Sequence, residues 1–521
     1  MTGRRFALVL ASAGLHALAM PPCDVSALAW VALVPFFCAL HGLGPLAGAA
    51  AGLVWGTAAI WGVGYWVPLA FASYYQQPLW FGVLFALGAS IVFAGSYTAG
   101  FGACACARPF RSTGGAARVV VLALLWVAWE LARARLLTGD PWLLLGYALG
   151  RERAFVQIAD LGGVYAVSFL VVLVNAALAE IVVTRPAPRR ALRALAPAAV
   201  AVVAAFAYGA LRLAAPLPTA DAVPVVVVQG NNDLGMQWRE EFYGRGLEEY
   251  LRMTADAAAR IHPALVVWPE SAMTFFVEDE PSYRTAIAGV LSRGGLQLLA
   301  GGPHVVRNRD PLFYNSAFLI SSSGEILARY DKQRLLPFAE YFPVASVGLL
   351  RREFARIREF SPGPPAAPLA TVAGAAGVVI CNEVMFPEIA AERVRTGATY
   401  LVNLSNDSWP GDPQFAAEAL DMARLRAIEE RRYLVRASTS GPSAIVDPLG
   451  RIVVGTAPFT RATITGTLRA SEAITLYGRF GDVFAVGCVL VTLAGALGGA
   501  LMPGTRRPEA PAERHPTAAA R

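Results

Sequence analysis

Runs of about 20 mostly apolar residues, the length that crosses a bilayer, recur along the chain. They fall at 5–20, 24–42, 45–70, 79–105, 117–136, 163–183, 191–214 and 483–502, and predict about eight helical spans. Between the seventh and the eighth the pattern changes. The segments "PVVVVQGN" (224–231), "ALVVWPE" (264–270), "LQLLAGG" (296–302), "NSAFLIS" (315–321), "GVVIC" (377–381) and "TYLVNLSND" (399–407) are short apolar runs bounded by turn residues and read as buried strands. Helical spacing lies near 240–260, 282–293, 387–397 and 413–431, and "SAIVDPLG" with "RIVVGT" predicts a hairpin around Pro448–Gly450. Strand–helix alternation ending in paired strands predicts a layered α/β domain. The expected order is a transmembrane bundle over 1–216, the α/β domain over 217–480, a last span over 481–503 and a disordered tail over 504–521, rich in Ala, Pro and Arg. The stretch 333–376 is long, proline-rich and apolar without a clear period, which marks a lid or binding loop.

Arg4 and Arg5 before the first run, with Ala17-Leu18-Ala19 after it, leave two readings, a cleaved leader or a retained span. Further spans follow at once and Pro21-Pro22 makes a turn, which favours retention. Arginines then orient the bundle. Arg4, Arg5, Arg108, Arg111, Arg118, Arg185, Arg189, Arg190, Arg193, Arg506, Arg507 and Arg514 share one side in an eight-span count, the expected cytoplasmic side. Arg133, Arg135, Arg151 and Arg153 fall opposite, so the rule is not perfectly obeyed. The α/β domain is expected outside the cytoplasm.

Composition agrees with a membrane protein: 16% charged residues in 521 and a mean hydropathy of +0.49, where soluble domains carry about 25% charge. The net charge of +7 does not point to nucleic acid, because the arginines are scattered and form no continuous basic face. Of 44 basic residues only Lys332 is lysine. Either one lysine survived by chance, or a compact ammonium does something there that a guanidinium cannot. Cys23, Cys38, Cys104, Cys106 and Cys488 lie in or beside apolar runs, as small hydrophobes do, and Cys104-x-Cys106 lacks the second pair a zinc site needs. Cys381 alone belongs to the α/β domain.

Strand ends are where α/β domains place reactive groups, and Glu270, Lys332 and Cys381 follow three predicted strands or strand-like runs. Taken singly, Glu270 could be a helix-start charge and Cys381 a packing residue. Together, a thiol, a carboxylate and an ammonium make an acyl-transfer set. The thiol is mostly protonated near neutral pH, a carboxylate can take its proton, and an ammonium can hold the thiolate and then the oxyanion. His262 and His304 stand in no catalytic context, and no metal cluster is visible. In the fifth run, Glu130 could serve an ion pathway, although Arg133 at i+3 predicts a structural ion pair instead.

These residues carry a resemblance. "VVWPES", "YDKQRLLPFAEYFP", "VVICNE" and "NLSNDSWPG" resemble the nitrilase superfamily. With "ALAMPPCDVSALAWVALVPF" and "WELARARLLTGDPWLLLGYALG", the whole chain resembles the apolipoprotein N-acyltransferase family of bacterial envelopes. The resemblance implies a multi-span α-helical membrane bundle of about eight spans plus an α/β nitrilase-like αββα sandwich. It implies Cys381 as nucleophile, Glu270 as general base, Lys332 as electrostatic stabiliser, Glu340 and Glu383 as supporting acids, and Trp238, Tyr341, Asn382 and Trp409 as substrate contacts. Trp238 reads equally as a surface helix anchor, and Trp409 as a packing or lipid-facing residue. Asn382 stands where the family commonly has tyrosine, and Pro410 where an aromatic is usual. The implied reaction moves an acyl chain from the sn-1 position of a membrane phospholipid, through a cysteine thioester, to the N-terminal amine of a diacylated apolipoprotein. It needs no cofactor or metal, and a monomer in the bacterial cytoplasmic membrane is expected. Leu335, Leu336, Phe338, Phe342 and Leu349 suit acyl chains or ordinary packing. A membrane-tethered nitrilase-like amidase is the alternative.

Overall fold

The structure is a computed structural model that describes residues 2–21, 23–142, 144–232, 244, 246–261, 264–343, 359–408 and 410–501. Trp238, His262, Leu349, Trp409 and the tail from 504 lie outside the described residues. Five helices among the described residues are long and apolar enough to cross a membrane: Pro45–Val63, Leu79–Cys106, Gly115–Arg135, Ala159–Thr184 and Pro188–Ala214. Two of the other three expected spans are shorter, and the last is a 19-residue helix, Val483–Leu501. Gly3–Ala19 has 17 residues. The second run divides into a tight turn, Ser26–Trp30, and a helix, Val34–Leu40, with Pro35 at the helix start, where its missing N–H costs nothing. The last run is apolar over Val483–Gly498. The expected span 45–70 also divides, at Gly64, before a helix Val67–Tyr75 that opens on Pro68.

Small residues let the bundle close. Gly48, Gly52 and Gly56, one helical turn apart, face Gly102, Thr98 and Ala94, and a Cβ on Gly52 would stand 2.0 Å from the Thr98 carbonyl oxygen. Such close approach lets dispersion act between backbones where lipid offers no hydrophobic drive. The ion pair expected between Glu130 and Arg133 does not form. Arg133 sits in the last helical turn, donates to the Asp140 carbonyl (2.8 Å) and pairs with the Asp140 carboxylate (3.9 Å). Glu130 accepts instead from Trp126 Nε1 and the Leu145 backbone.

The strands are β1 (Ala222–Gln229), β2 (Leu265–Val267), β3 (Gln297–Val306), β4 (Leu312–Ile320), β5 (Ile326–Asp331), β6 (Leu369–Thr371), β7 (Gly374–Ile380), β8 (Tyr400–Ser405), β9 (Leu434–Ser438), β10 (Ala444–Val446), β11 (Ile452–Gly455) and β12 (Ala462–Arg469). They form two six-stranded sheets, ordered β12-β1-β2-β3-β4-β5 and β11-β10-β9-β8-β7-β6. The central pairs, β1–β2–β3 and β7–β8–β9, run parallel, and the flanking pairs run antiparallel. Alternation within the valine run shows why it is apolar throughout. Val225 and Val227 face the second sheet, against Val378, Ile380 and Val402, while Val226 and Val228 face Tyr250 and Met253 of the helix Leu247–Ile261. On the far side, Val379 and Leu401 pack against Ile389, Val394 and Ala427 of the helices Pro387–Arg395 and Pro413–Glu430. The result is a helix–sheet–sheet–helix stack.

Those last two helices seat the stack on the bundle. Gln414 Nε2 donates to the Val63 carbonyl (2.6 Å) and to the Pro21 carbonyl (2.8 Å). Arg426 donates to Tyr147 (3.0 Å), Arg431 pairs with Asp160 (2.9 Å) and Arg135 with Glu388 (2.9 Å). Glu388, expected as a first-turn helix charge, occupies that turn and also reaches the bundle.

Candidate active site

Three strand ends converge between the two sheets. β7 delivers Cys381 as the first residue of a tight turn, Cys381–Met385, at φ +52°. A non-glycine side chain in that region costs about 1–3 kcal/mol, so the surroundings must hold the turn. Glu383 does so. One of its oxygens accepts from the Ile380 backbone N–H (2.7 Å), the other from the N–H groups of Gln333 (2.7 Å) and Arg334 (3.0 Å), and Tyr330 Oη donates to both (2.8 and 2.9 Å). Tyr330 in turn accepts from Arg393 (2.8 Å), whose guanidinium lies 4.7 Å from the ring centre. The carboxylate therefore ties the thiol's turn to the end of β5.

Glu270 follows β2, and Ser271 after it takes φ +57°. The Oε1 of Glu270 accepts from Asn315 Nδ2 (2.7 Å) and its Oε2 from the Asn406 N–H (2.7 Å). Lys332 follows β5. Its backbone N–H donates to the Asn315 carbonyl (2.8 Å), and its ammonium, 1% exposed, lies 2.8 Å from Glu340 Oε2. Glu340 also accepts from the Leu336 N–H (2.7 Å) and from Asn315 Nδ2 (2.8 Å). Asn315 on β4 thus links Glu270, Lys332 and Glu340.

Burial raises the Glu270 carboxyl above its ordinary range and the Glu340 charge adds to this, while Lys332 opposes it. Burial also pushes the Cys381 thiol far up, Glu270 adds to this, and Lys332 opposes it. For Lys332, burial works against the charge, but Glu340, Cys381 and Glu270 outweigh it and hold the ammonium protonated. The resting site is then a neutral thiol beside a carboxylate with raised proton affinity, and a fixed cation. A carboxylate so placed can accept the thiol proton as the sulfur attacks, and return it later.

A cavity of about 210 Å³ opens at Cys381 and Asn382 and runs into the bundle, between Phe71, Phe85 and Phe93, under Leu336 and Phe338 of the 333–343 segment. Its other walls include Thr138, Asp140 and Trp142, from the loop that follows Gly115–Arg135. Asn382 is 6% exposed, and its Oδ1 is buried with no hydrogen-bond partner among the described residues. Phe342 packs on Phe338 (ring centres 5.8 Å apart). Tyr341 is half-buried, and its carbonyl accepts from Phe338 N–H (2.8 Å); it does not line the cavity. The structure brings together Cys381, Glu270, Lys332 and Glu340, sets Glu383 behind them as a brace, and leaves Tyr341 aside. Trp238 and Trp409 lie outside the described residues. His304 is engaged with Glu278 and Arg329.

Sequence reading missed Asn315, Tyr330 and Arg393. Asn315 lies within β4, among mostly apolar residues, and is 3% exposed. A buried amide in such a run requires partners, and that was the available signal. Nothing local marks Tyr330 or Arg393, because Tyr330 meets Glu383, and Arg393 meets Tyr330, across distant segments.

The comparisons with known proteins cover both halves of the chain. Residues 12–177 match the apolipoprotein N-acyltransferase N-terminal domain, and residues 227–476 match the carbon-nitrogen hydrolase family. The chain is 35% identical to an apolipoprotein N-acyltransferase of Geobacter metallireducens over 93% of each chain. It is 32% identical to one of Gloeobacter violaceus over 96% of each, and 34% identical to one of Azotobacter vinelandii over 74% of each. Among solved structures it is similar to Nit3 of Saccharomyces cerevisiae, a nitrilase superfamily member, at 20% identity and a TM-score of 0.36, over 49% of this chain and 93% of that one. With relatives of this identity along nearly its whole length, the chain belongs to the apolipoprotein N-acyltransferase family.

Proposed function

We propose that the chain transfers an acyl group from the sn-1 ester of a membrane phospholipid to the N-terminal amine of a diacylated apolipoprotein. The observation that carries this reading is the apolar cavity that starts at the Cys381 thiol and ends among membrane helices. A hydrolase of small soluble amides has no use for such a space, whereas an enzyme whose substrates are anchored in lipid needs it. The names of the relatives supply the acceptor class.

Cys381 Sγ attacks the ester carbonyl while Glu270 takes the thiol proton. The carbonyl oxygen gains negative charge near the Lys332 ammonium, whose own charge is held by Glu340. The C–O bond breaks, the proton passes from Glu270 to the leaving glycerol oxygen, and lysophospholipid departs from a thioester. The acceptor amine then attacks that thioester, Glu270 takes a proton from nitrogen, and the C–S bond breaks. The sulfur recovers the proton, and the amide leaves. In this reading the domain over 217–480 faces the outer leaflet of the bacterial cytoplasmic membrane and the spans on either side tether it there. Asn382, Trp238 and Trp409 stand as substrate contacts, Tyr341 does not, and the chain acts as a monomer.

The test is intact mass after mixing with phospholipid. An acyl adduct on Cys381, labile to hydroxylamine and absent in Cys381→Ser, is expected, followed by transfer to a diacylated lipopeptide. Free fatty acid without N-acylated peptide would place the chain among amidases or hydrolases instead.

A further inference from the structure

Trp61, near the end of the helix Pro45–Val63, stands between two spaces. On one side lies the cavity that begins at Cys381; on the other, an apolar groove lined by Phe6, Leu53, Thr57, Ala58 and Leu87 opens on the outside of the bundle. Trp61 lines both and is itself half-buried. Phe6, Leu53 and Leu87 are exposed, and their helices belong to the membrane bundle, so lipid tails are the medium they meet.

Volume makes this relationship matter. A dry apolar cavity of about 150 Å³ takes one benzene, so the inner cavity holds on the order of eight carbons. A palmitoyl chain has about twice as many. A long chain bound as a thioester at Cys381 must therefore leave the cavity before it ends. We propose that it leaves past Trp61 and lays its distal half in the outer groove, so that Trp61 decides which chain lengths the site accepts. This rests on the reading of Cys381 as the acyl-bearing thiol.

The direction fits. The Val63 carbonyl accepts a hydrogen bond from Gln414 of the α/β domain (2.6 Å), so this end of the helix meets that domain and its earlier residues lie deeper in the bundle. From Trp61 back to Leu53 the groove follows eight residues, about 12 Å at ~1.5 Å each. A chain taking that path exchanges lipid neighbours for Leu53, Phe6 and Leu87 and is never exposed to water. The passage itself is set by one indole, and one apolar contact discriminates by about 10- to 200-fold.

The full-length protein in detergent is given phosphatidylglycerol whose sn-1 palmitoyl chain carries a photoreactive diazirine at its far end. Once the Cys381 adduct has formed, irradiation should label the segment 53–58 or Leu87. In parallel, adduct formation is timed with palmitoyl and octanoyl donors. Ala58→Trp, which fills the groove, should lower the palmitoyl-to-octanoyl ratio about tenfold or more, the scale on which apolar pockets read methylenes. Trp61→Ala should raise it. Labels confined to Phe71, Phe85 or Phe93, with the ratio unmoved in both variants, overturn the inference and leave the acyltransferase reading standing. No Cys381 adduct from either donor overturns that reading, and this inference with it.

Discussion

The Lys332 ammonium and the Glu340 carboxylate form a buried ion pair at 2.8 Å. A buried pair of this kind repays its desolvation only with good geometry and further hydrogen bonds, and Glu340 has them from Leu336 and Asn315. Glu340 fixes the direction of the ammonium, and the same ammonium opposes the upward pressure on Cys381 and Glu270.

Lys332→Arg should therefore fail although it keeps the charge. A planar guanidinium is wider, must satisfy five donors, and would disturb either Glu340 or the space at Cys381. Single-turnover acyl-adduct formation is expected to fall by at least about 100-fold, the scale on which loss of one oxyanion donor is felt, with thermal stability largely kept. Full activity in Lys332→Arg would refute the view that this lysine survived because an ammonium was needed.

Asn315→Leu removes the donor that Glu270 and Glu340 share. A carboxylate that loses an N–H donor binds its proton more tightly, so Glu270, already raised by burial, should rise further. The base must be ionised to act, so the acid limb of the rate–pH profile should move to higher pH, and the rate at neutral pH should fall. Thioester formation measured against pH checks this; an unmoved acid limb would mean that Asn315 only packs.

Much of the α/β layer was legible because its central strands are short continuous apolar runs. β9 and β12 were not, because charged or polar residues such as Arg436 and Thr465 interrupt the apolar pattern. The interruptions have structural reasons: Arg436 is buried against Asp407 (2.6 Å), and β12 is an edge strand with one half-open face. Cys381 and Glu270 could be read because each ends an apolar run, and Lys332 because it is the one lysine, after the strand-like "GEILARYD". Asn315, Tyr330 and Arg393 could not, because the carboxylates and hydroxyl they meet in the site lie 25 to 63 residues away. The expected spans were legible as apolar runs, but apolarity does not say where a run breaks, as at Gly64 or after Trp30.

Glu383 should prove a brace rather than a proton carrier. Its two oxygens accept from three backbone N–H groups and from Tyr330. Glu383→Gln substitutes an NH2 group that meets other donors, and is expected to cost on the order of 3 kcal/mol. Unfolding monitored in detergent reads the loss. Tyr330→Phe on top of it should add less than it does alone, since the hydroxyl's acceptor is already compromised. Strict additivity would show that the two do not share one network.

The junction between bundle and α/β domain offers a separate test. Asp160 accepts from Tyr208 (2.8 Å) and Arg212 (2.6 Å) of the helix Pro188–Ala214, and from Arg431 (2.9 Å) of the α/β domain. It precedes a break in its own helix at Gly162–Gly163. Asp160→Asn removes the only carboxylate paired with these two arginines among the described residues. Leaving Arg431 buried and unpaired should cost about 3–5 kcal/mol; Arg212, with 38% of its side chain exposed, can turn to solvent. The double change Asp160→Leu with Arg431→Met should recover most of that loss, because an apolar pair of similar volume often replaces a buried ion pair without penalty. Thermal unfolding of the three proteins in one detergent checks this. A double variant no more stable than Asp160→Asn would show that the ion pair contributes something beyond its own neutralisation, such as fixing how the domain sits over the cavity at Cys381.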